Sequence, residues 1–153
     1  MIRIGLISDT HGLLRPEALA ALRGSDRIVH AGDIVDPDDL DTLAQIAPVT
    51  AVRGNNDKGA WAAALAESEW LDLGGVKLFV IHDLKDLDID PAGADVQVIV
   101  SGHSHKPVVQ RRDGVLYVNP GSAGPRRFKL PVSVGRLDIM GREVRAEVIE
   151  LLA

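Results

Sequence analysis

The sequence predicts a single α/β domain that ends in antiparallel hairpins, an arrangement of the α+β type. Over the first two-thirds of the chain, short runs rich in Val, Ile and Leu alternate with helical segments, as in βαβ units. Over the last third, alternating apolar and polar residues flank short turns, which indicates β-hairpins. A length of 153 residues, without an internal repeat or linker, suits one domain over residues 1–153.

Each element of the first two-thirds has a local reason. Strands are expected where the runs are short and largely apolar, at residues 2–8, 27–31, 49–52, 76–81 and 96–100. The first helix is expected to start at Pro16 and to run through about Arg23, with Gly24 stopping it. The second is expected to start with Asp36 as its N-cap and Pro37 in its first turn. Residues 59–68 are rich in Ala and are expected to form one or two helical turns.

Two hairpins are expected after these elements. The first pairs residues 108–112 with 115–118 around an Asp-Gly turn, and the second pairs residues 132–139 with 143–151. The last third is therefore predicted to be antiparallel, in contrast to the strand–helix alternation that precedes it.

Composition and charge exclude several classes of protein. The formal net charge is −5 and the basic residues are scattered, which argues against long nucleic acids as ligands. Without cysteine, any metal must be bound through nitrogen and oxygen ligands. The first residues already resemble a strand rather than a signal peptide, and no apolar run is long enough to span a membrane. A cytoplasmic protein that does not bind membranes is expected.

Side chains with nitrogen or oxygen donors follow all five predicted strands of the first two-thirds. They are Asp9, His11, Asp33, Asn55, His82, His103 and His105. In open α/β sheets, ligands bind outside the carboxyl ends of the strands, and this donor set suits a pair of divalent cations. His103 and His105 would face one spot if the backbone there were extended, because residues i and i+2 of a strand share a face.

The order and spacing of these motifs resemble the calcineurin-like metallophosphoesterase superfamily. The motifs are Asp9-x-His11, Gly32-Asp33-x-x-Asp36, Gly54-Asn55-x-Asp57, His82 and Gly102-His103-x-His105. Asn119-Pro120-Gly121-Ser122, followed by Pro125-Arg126, is similar to the small bacterial and archaeal phosphodiesterase branch. The resemblance implies a two-sheet β-sandwich flanked by helices, with both hairpins contributing to the second sheet.

The resemblance also implies a role for each ligand residue. Asp9, His11 and His105 would hold one divalent ion, whereas Asn55, His82 and His103 would hold a second and Asp33 would bridge them. Mn²⁺ is the first choice of metal, with Ni²⁺, Zn²⁺, Fe²⁺ and Co²⁺ as alternatives.

The implied activity is hydrolysis of a small or activated phosphoester by a metal-bound hydroxide, with diesters favoured over monoesters. The residues expected to carry catalysis are Asp33, Asn55, Asn56 and His82. A homo-oligomer is compatible with the sequence.

Two positions depart from the family pattern. Asn56 stands where the broader family has a His and the small branch often has Cys, and a carboxamide cannot deliver a proton near neutral pH. Asp83 stands where Gly is usual, either accepting a hydrogen bond from an imidazole or lying in solvent. Because Asn56 cannot act as a general acid, a second function stays open. It is a non-catalytic protein-binding scaffold, such as the retromer scaffold subunit of eukaryotes.

Three further residues have two interpretations each. Asp36 is a helix cap or a site residue, with the cap favoured. Asp57 supports Asn55 or closes its own loop as an Asx turn. Arg126 binds substrate phosphate or lies in solvent. His30, within its strand, is expected to be structural rather than a ligand.

Overall fold

The computed structural model describes residues 1–152 and contains, within them, two five-stranded sheets and few helices. The strands are β1 Ile2–Ile7, β2 Arg27–His30, β3 Val49–Ala51, β4 Ser68–Leu73, β5 Val76–Ile81, β6 Val98–Val100, β7 Val108–Arg112, β8 Val115–Asn119, β9 Ser133–Met140 and β10 Glu143–Glu150. The α-helices are α1 Pro16–Leu22, α2 Asp38–Ala44 and α3 Ala60–Ala63. A 3₁₀ turn covers Leu84–Asp86. The expected two-sheet architecture is confirmed.

The two sheets divide the chain in a way that the sequence did not predict. Sheet A has the order β10-β9-β1-β2-β3, and sheet B has the order β4-β5-β6-β8-β7. Strands β1, β2 and β3 are mutually parallel, as are β5, β6 and β8. The β7–β8 hairpin lies in sheet B as expected, but the β9–β10 hairpin pairs antiparallel with β1 in sheet A. The assignment of both hairpins to the second sheet was therefore wrong.

The main core lies between the two sheets. Val29 of sheet A and Leu78 of sheet B are both fully buried in it, whereas Ile28 points the other way, toward Leu22 and Leu43 of the helices. This division follows from the two-residue period of a strand, which sends neighbouring side chains to opposite faces. Helices α1 and α2 thus cover the outer face of sheet A.

The outer face of sheet B has a different cover. Phe79, Ile99 and Val115 form a separate cluster there, over which Leu87 and Ile89 pack from the segment after β5. This segment is irregular apart from its one 3₁₀ turn. The segment after β5 therefore covers only part of the outer face of sheet B.

The largest local error of prediction concerns residues 59–73. The structure has a single helical turn, α3, followed by the edge strand β4, which was not predicted. Strand β4 pairs with β5 along its whole length through the two-residue turn Gly74-Gly75, and both glycines have positive φ. Two glycines between β-forming runs are a hairpin signal, because such turns require left-handed backbone.

Smaller differences concern the ends of elements. Helix α2 begins at Asp38, two residues after the expected N-cap, but Asp36 Oδ1 accepts a hydrogen bond from the Asp38 amide at 3.0 Å. Asp36 therefore behaves as a cap, as the sequence favoured. Strand β6 covers only the last three residues of its predicted range. Among residues 1–152, no helix is both long and apolar enough to cross a membrane.

Candidate metal centre

The seven predicted ligand residues lie together where carboxyl ends of strands from both sheets meet. Strands β1, β2 and β3 of sheet A lead into Asp9, His11, Asp33 and Asn55, whereas β5 and β6 of sheet B lead into the remaining three histidines. The sequence predicted a gathering at one edge of an open sheet. The structure instead forms it from two sheets, because parallel strands within each sheet bring their ends to the same side.

The first group of donors consists of Asp9, His11 and His105. Asp9 Oδ1 lies 3.5 Å from His105 Nε2 and 3.9 Å from His11 Nε2. The two imidazole Nε2 atoms are 3.3 Å apart. Three donor atoms of two kinds thus converge on a space small enough for a single cation.

The second group consists of Asp33, His82 and His103, with Asn55 beside them. Asn55 Oδ1 lies 3.1 Å from His82 Nε2 and 3.2 Å from His103 Nδ1. Asp33 Oδ2 lies 3.4 Å from His82 Nε2 and also 3.6 Å from His11 Nε2 of the first group. Asp33 is therefore placed between the two groups.

His103 and His105 do not face one spot, contrary to the expectation from extended backbone. They belong to different groups, and their φ angles are 70° and 62°. Strand β6 ends at Val100, so both residues lie in a loop rather than in a strand. Asp9, His11 and Asp33 also have positive φ, between 47° and 59°. Five of the seven donors thus occupy a backbone region that side chains usually avoid, as is common at functional sites.

An unpartnered buried oxygen provides a test of whether cations fit this site. Asp9 Oδ2 accepts hydrogen bonds from Ser8 Oγ at 2.7 Å and from the His103 amide at 3.0 Å. Asp9 Oδ1 is buried and has no hydrogen-bond partner within residues 1–152, although Nε2 of His11, His82 and His105 lies within 3.9 Å. Buried polar atoms are rarely left unsatisfied. A divalent cation coordinated by these atoms would satisfy the oxygen, so the donor set fits a metal.

The protonation states of Asp33 and His105 favour cation binding, and a hydrogen bond orients His82. His82 Nδ1–H donates to the Ala31 carbonyl at 2.7 Å, which leaves Nε2 directed at the site. Burial and the positive charge of Arg127 lower the pKa of His105 to about 4, so its imidazole is neutral at pH 7. Burial raises the pKa of Asp33, but hydrogen bonds from His82 and Asn56 outweigh it and hold that pKa well below its usual range.

The pKa values of Asp9 and His82 shift in the direction that opposes cation binding. Burial raises the pKa of Asp9, against the nearby charge of His82. Burial lowers the pKa of His82, but its hydrogen bond with Asp33 and the charge of Asp9 raise it overall. Bound cations would displace these protons, so metal affinity is expected to rise with pH.

Asn56 contacts the residue that lies between the two groups. Its backbone amide donates to Asp33 Oδ1 at 2.9 Å, and its side-chain Nδ2 donates to Asp33 Oδ2 at 3.0 Å. The carboxamide therefore orients Asp33, in addition to occupying the position where the family has a proton donor.

Asp57 ties two loops of the site together. Its carboxylate accepts four backbone hydrogen bonds, from the amides of Asp33, Ile34, Val35 and Gly54, at 2.8 to 3.0 Å. The bond to Gly54 closes its own loop, while the other three hold the loop that carries Asp33. Both interpretations of Asp57 from the sequence were thus too narrow.

Asp83 and Arg126 lie at the margin of the site. Asp83 Oδ1 accepts a hydrogen bond from the Lys85 amide at 3.0 Å, and its Oδ2 lies 3.6 Å from His103 Nε2. Arg126 is exposed in the segment that precedes β9, and its contact with a substrate stays a prediction.

Sequence reasoning missed the residues that shape the loops. Asn119 Nδ2 donates to the Gly102 carbonyl at 3.0 Å and to Ser104 Oγ at 3.2 Å, which holds the loop of His103 and His105. Ser122 Oγ donates to the Asp9 carbonyl at 2.9 Å. The motif that contains Asn119 and Ser122, which resembles the small phosphodiesterase branch, was the available signal.

His30 is fully buried and structural, as expected. Its Nδ1 accepts a hydrogen bond from the Gly32 amide at 3.1 Å, so its Nε2–H donates to Thr10 Oγ1 at 3.0 Å. Burial and the charge of His82 lower its pKa to about 3. His30 therefore links the loops after β1 and β2 as a neutral group.

This burial predicts an acid-sensitive fold. Because the pKa of His30 is lower in the folded state than in the unfolded state, its stabilising effect is present above about pH 6.5 and is lost on acidification toward about pH 3. Between about pH 7 and pH 5 the loss from this one group is expected to reach about 2 kcal/mol. Urea unfolding of metal-free wild type and His30→Asn at both pH values measures it. Equal pH dependence in the two proteins would contradict the prediction.

Comparisons with known proteins agree with this geometry. Residues 2–142 match the family model described as the calcineurin-like phosphoesterase superfamily domain. A probable metallophosphoesterase of Methanothermobacter thermautotrophicus is 35% identical, over 95% of this chain and 91% of that protein. Phosphodiesterase YfcE of Escherichia coli K12 is 30% identical, over 90% of this chain and 88% of that protein.

Solved structures show the same fold. Vps29 of Entamoeba histolytica complexed with zinc has a TM-score of 0.76 at 23% identity, over 99% of this chain and all of that one. At this identity the likeness concerns the fold alone.

Proposed function

This chain belongs to the calcineurin-like phosphoesterase superfamily, and we propose that it is a two-metal phosphodiesterase acting on a small phosphoester. One observation supports this most directly. Seven nitrogen and oxygen donors converge in two adjoining groups, with Asp33 within reach of both. Many enzymes that cleave phosphoesters use two adjacent cations, and two adjoining donor groups suit such a pair.

The proposed ligand assignment follows the two groups. Asp9, His11 and His105 would hold one cation. Asn55, His82 and His103 would hold the other, with Asp33 bridging them. Mn²⁺ remains the first choice, because this mixed set of imidazole, carboxylate and amide suits several divalent ions.

The protein's own residues would prepare the site for in-line displacement at phosphorus. When bound, the cations supply Lewis acidity and charge stabilisation for the phosphoryl oxygens. Asn56 holds the Asp33 carboxylate through two hydrogen bonds. The Ala31 carbonyl holds the proton of His82 at Nδ1. Asn56 Nδ2 can donate a hydrogen bond to a leaving oxygen but cannot transfer a proton to it.

Restoration of activity by metal tests the proposed function. Protein stripped by a chelator is assayed with bis(4-nitrophenyl) phosphate and 4-nitrophenyl phosphate, before and after addition of Mn²⁺. Activity is expected to return with Mn²⁺ and to be higher on the diester. Turnover of neither ester by protein that binds two metal ions per chain would overturn the enzyme proposal and favour the protein-binding scaffold.

The carboxamide at position 56 predicts a strong dependence on the leaving group. Without a proton donor, esters of alcohols with high pKa should react disproportionately slowly. Asn56→His should accelerate those esters by up to about a hundredfold and change nitrophenyl esters little. Asn56→Gln, which keeps the carboxamide, is the matched control. The measurement is kcat/KM across a series of leaving groups. A wild-type kcat/KM that does not change with leaving-group pKa would contradict the prediction.

A further inference from the structure

A cavity of about 280 Å³ opens directly beside the second donor group. It lies between the outer face of sheet B and the turn after β5. Val108 and Tyr117 line it from the sheet, Leu84 lines it from the turn, and His103 and Asp83 line its inner end. It adjoins the proposed metal centre, because His103 both lines the cavity and belongs to the second donor group.

The walls of this cavity offer planar and apolar surfaces to a flat group, and the charged residues Asp83, Lys85 and Arg112 also line it. The Arg112 guanidinium lies 4.2 Å from the centre of the Tyr117 ring, and both side chains line the cavity. Because Arg112 already covers one face of the Tyr117 ring, a ligand ring would stack on the other face of the guanidinium or contact the edge of the phenol ring. Leu84 is 37% exposed, so an occupant would remove apolar surface from water. The volume is near the lower limit of about 300 Å³ for small-molecule sites, which suits one part of a ligand.

A second cavity of about 280 Å³ meets the first at His103 and Asp83 but has a different character. Glu67, Asp86 and Asp88 line it, and Arg53, which also lines it, is paired with Glu67. Three additional carboxylates make it a poor environment for an anionic diester. Of these two cavities, the one that contains Tyr117 is therefore the better place for an organic arm.

We infer that the Tyr117 cavity binds an aromatic arm of the phosphodiester substrate, an aryl or nucleobase ring, while the phosphoryl group lies at the metal centre. This inference rests on the proposed function and names its substrate class. A ring that stacks in the cavity would add affinity that a methyl group in the same position cannot provide.

Two phosphonates isolate this contribution without any need for turnover. Phenylphosphonate and methylphosphonate share the anionic head and differ in the group that would enter the cavity. Calorimetric titration of the Mn²⁺-loaded protein is expected to show phenylphosphonate binding about tenfold more tightly. Equal affinities would overturn the inference.

Neighbouring valines on β7 provide a matched pair of variants. Val108 lines the cavity, whereas Val109 points to the opposite face of the strand and is 45% exposed. Val108→Phe should abolish the preference for phenylphosphonate and leave methylphosphonate affinity unchanged, while Val109→Phe should preserve both. Leu84→Trp fills the cavity from an exposed position, so it tests the same point if Val108→Phe folds poorly.

The outcomes separate this inference from the proposed function. If the wild type hydrolyses esters but shows no preference between the phosphonates, the cavity inference fails and the enzyme proposal stands. If no ester is hydrolysed but the preference appears and Val108→Phe removes it, the cavity inference stands and the enzyme proposal fails. If no ester is hydrolysed and neither phosphonate binds, both proposals fail.

Discussion

Replacing Asp33 by Ala is expected to lower kcat/KM for bis(4-nitrophenyl) phosphate by about a thousandfold or more. Asp33 Oδ2 lies 3.4 Å from His82 Nε2 and 3.6 Å from His11 Nε2. The variant therefore removes the carboxylate that lies between the two donor groups of the site. A single preorganised electrostatic contact is commonly worth about 10²–10³ in rate, and Asp33 would act on two cations. The variant is also expected to retain fewer than two Mn²⁺ ions per chain.

Two further variants make this result specific. Asp33→Asn keeps the shape of the side chain without its charge, and should be nearly as inactive. Asp36→Ala removes another carboxylate from the same loop. In the described hydrogen bonds this carboxylate contacts only the Asp38 amide, so the variant should remain active. The measurements are steady-state kinetics and metal content after gel filtration. An Asp33→Ala protein that keeps both its metal and its activity would refute the bridging role.

Replacing Asp57 by Ala is expected to destabilise the fold by about 3–5 kcal/mol. The side chain is 6% exposed and accepts four backbone hydrogen bonds, so its loss leaves several amides without their acceptor. Domains of this kind are stable by only about 5–15 kcal/mol, so the change would be large. Activity should fall as well, because these bonds hold the loops of Asp33 and Asn55.

A remote carboxylate provides the control for this effect. Asp72 Oδ1 accepts one exposed hydrogen bond, from the Gly75 amide at 3.0 Å, in the turn between β4 and β5. Asp72→Ala should cost about 1 kcal/mol or less. Urea unfolding of metal-free proteins measures both variants, and similar losses for Asp57→Ala and Asp72→Ala would contradict the role of Asp57.

Much of the fold could be predicted because local patterns are explicit in this chain. Val29 and Ile28 show the alternation that buries both faces of a central strand, and Asp36 behaves as the cap that its position indicates. Strand β4 was missed because an edge strand with one exposed face has a weak apolar signal. The place of the β9–β10 hairpin could not be predicted, since antiparallel pairing with β1 depends on a partner distant in sequence.

Local sequence alone indicates which side chains are available as ligands and that they follow strands. The type of each donor and its position after an apolar run depend only on local order, and all seven converge in the structure. The family membership likewise follows from motifs along the chain.

The division of those side chains between the two donor groups depends on the folded chain as a whole. His103 and His105 are two residues apart, yet they enter different groups because left-handed backbone turns them apart. Asp57 accepts most of its hydrogen bonds from amides more than twenty residues away in the sequence. The Tyr117 cavity lies where the segment after β5 leaves sheet B uncovered. Contacts of this kind depend on how distant segments pack, and packing is a property of the whole fold rather than of a local pattern.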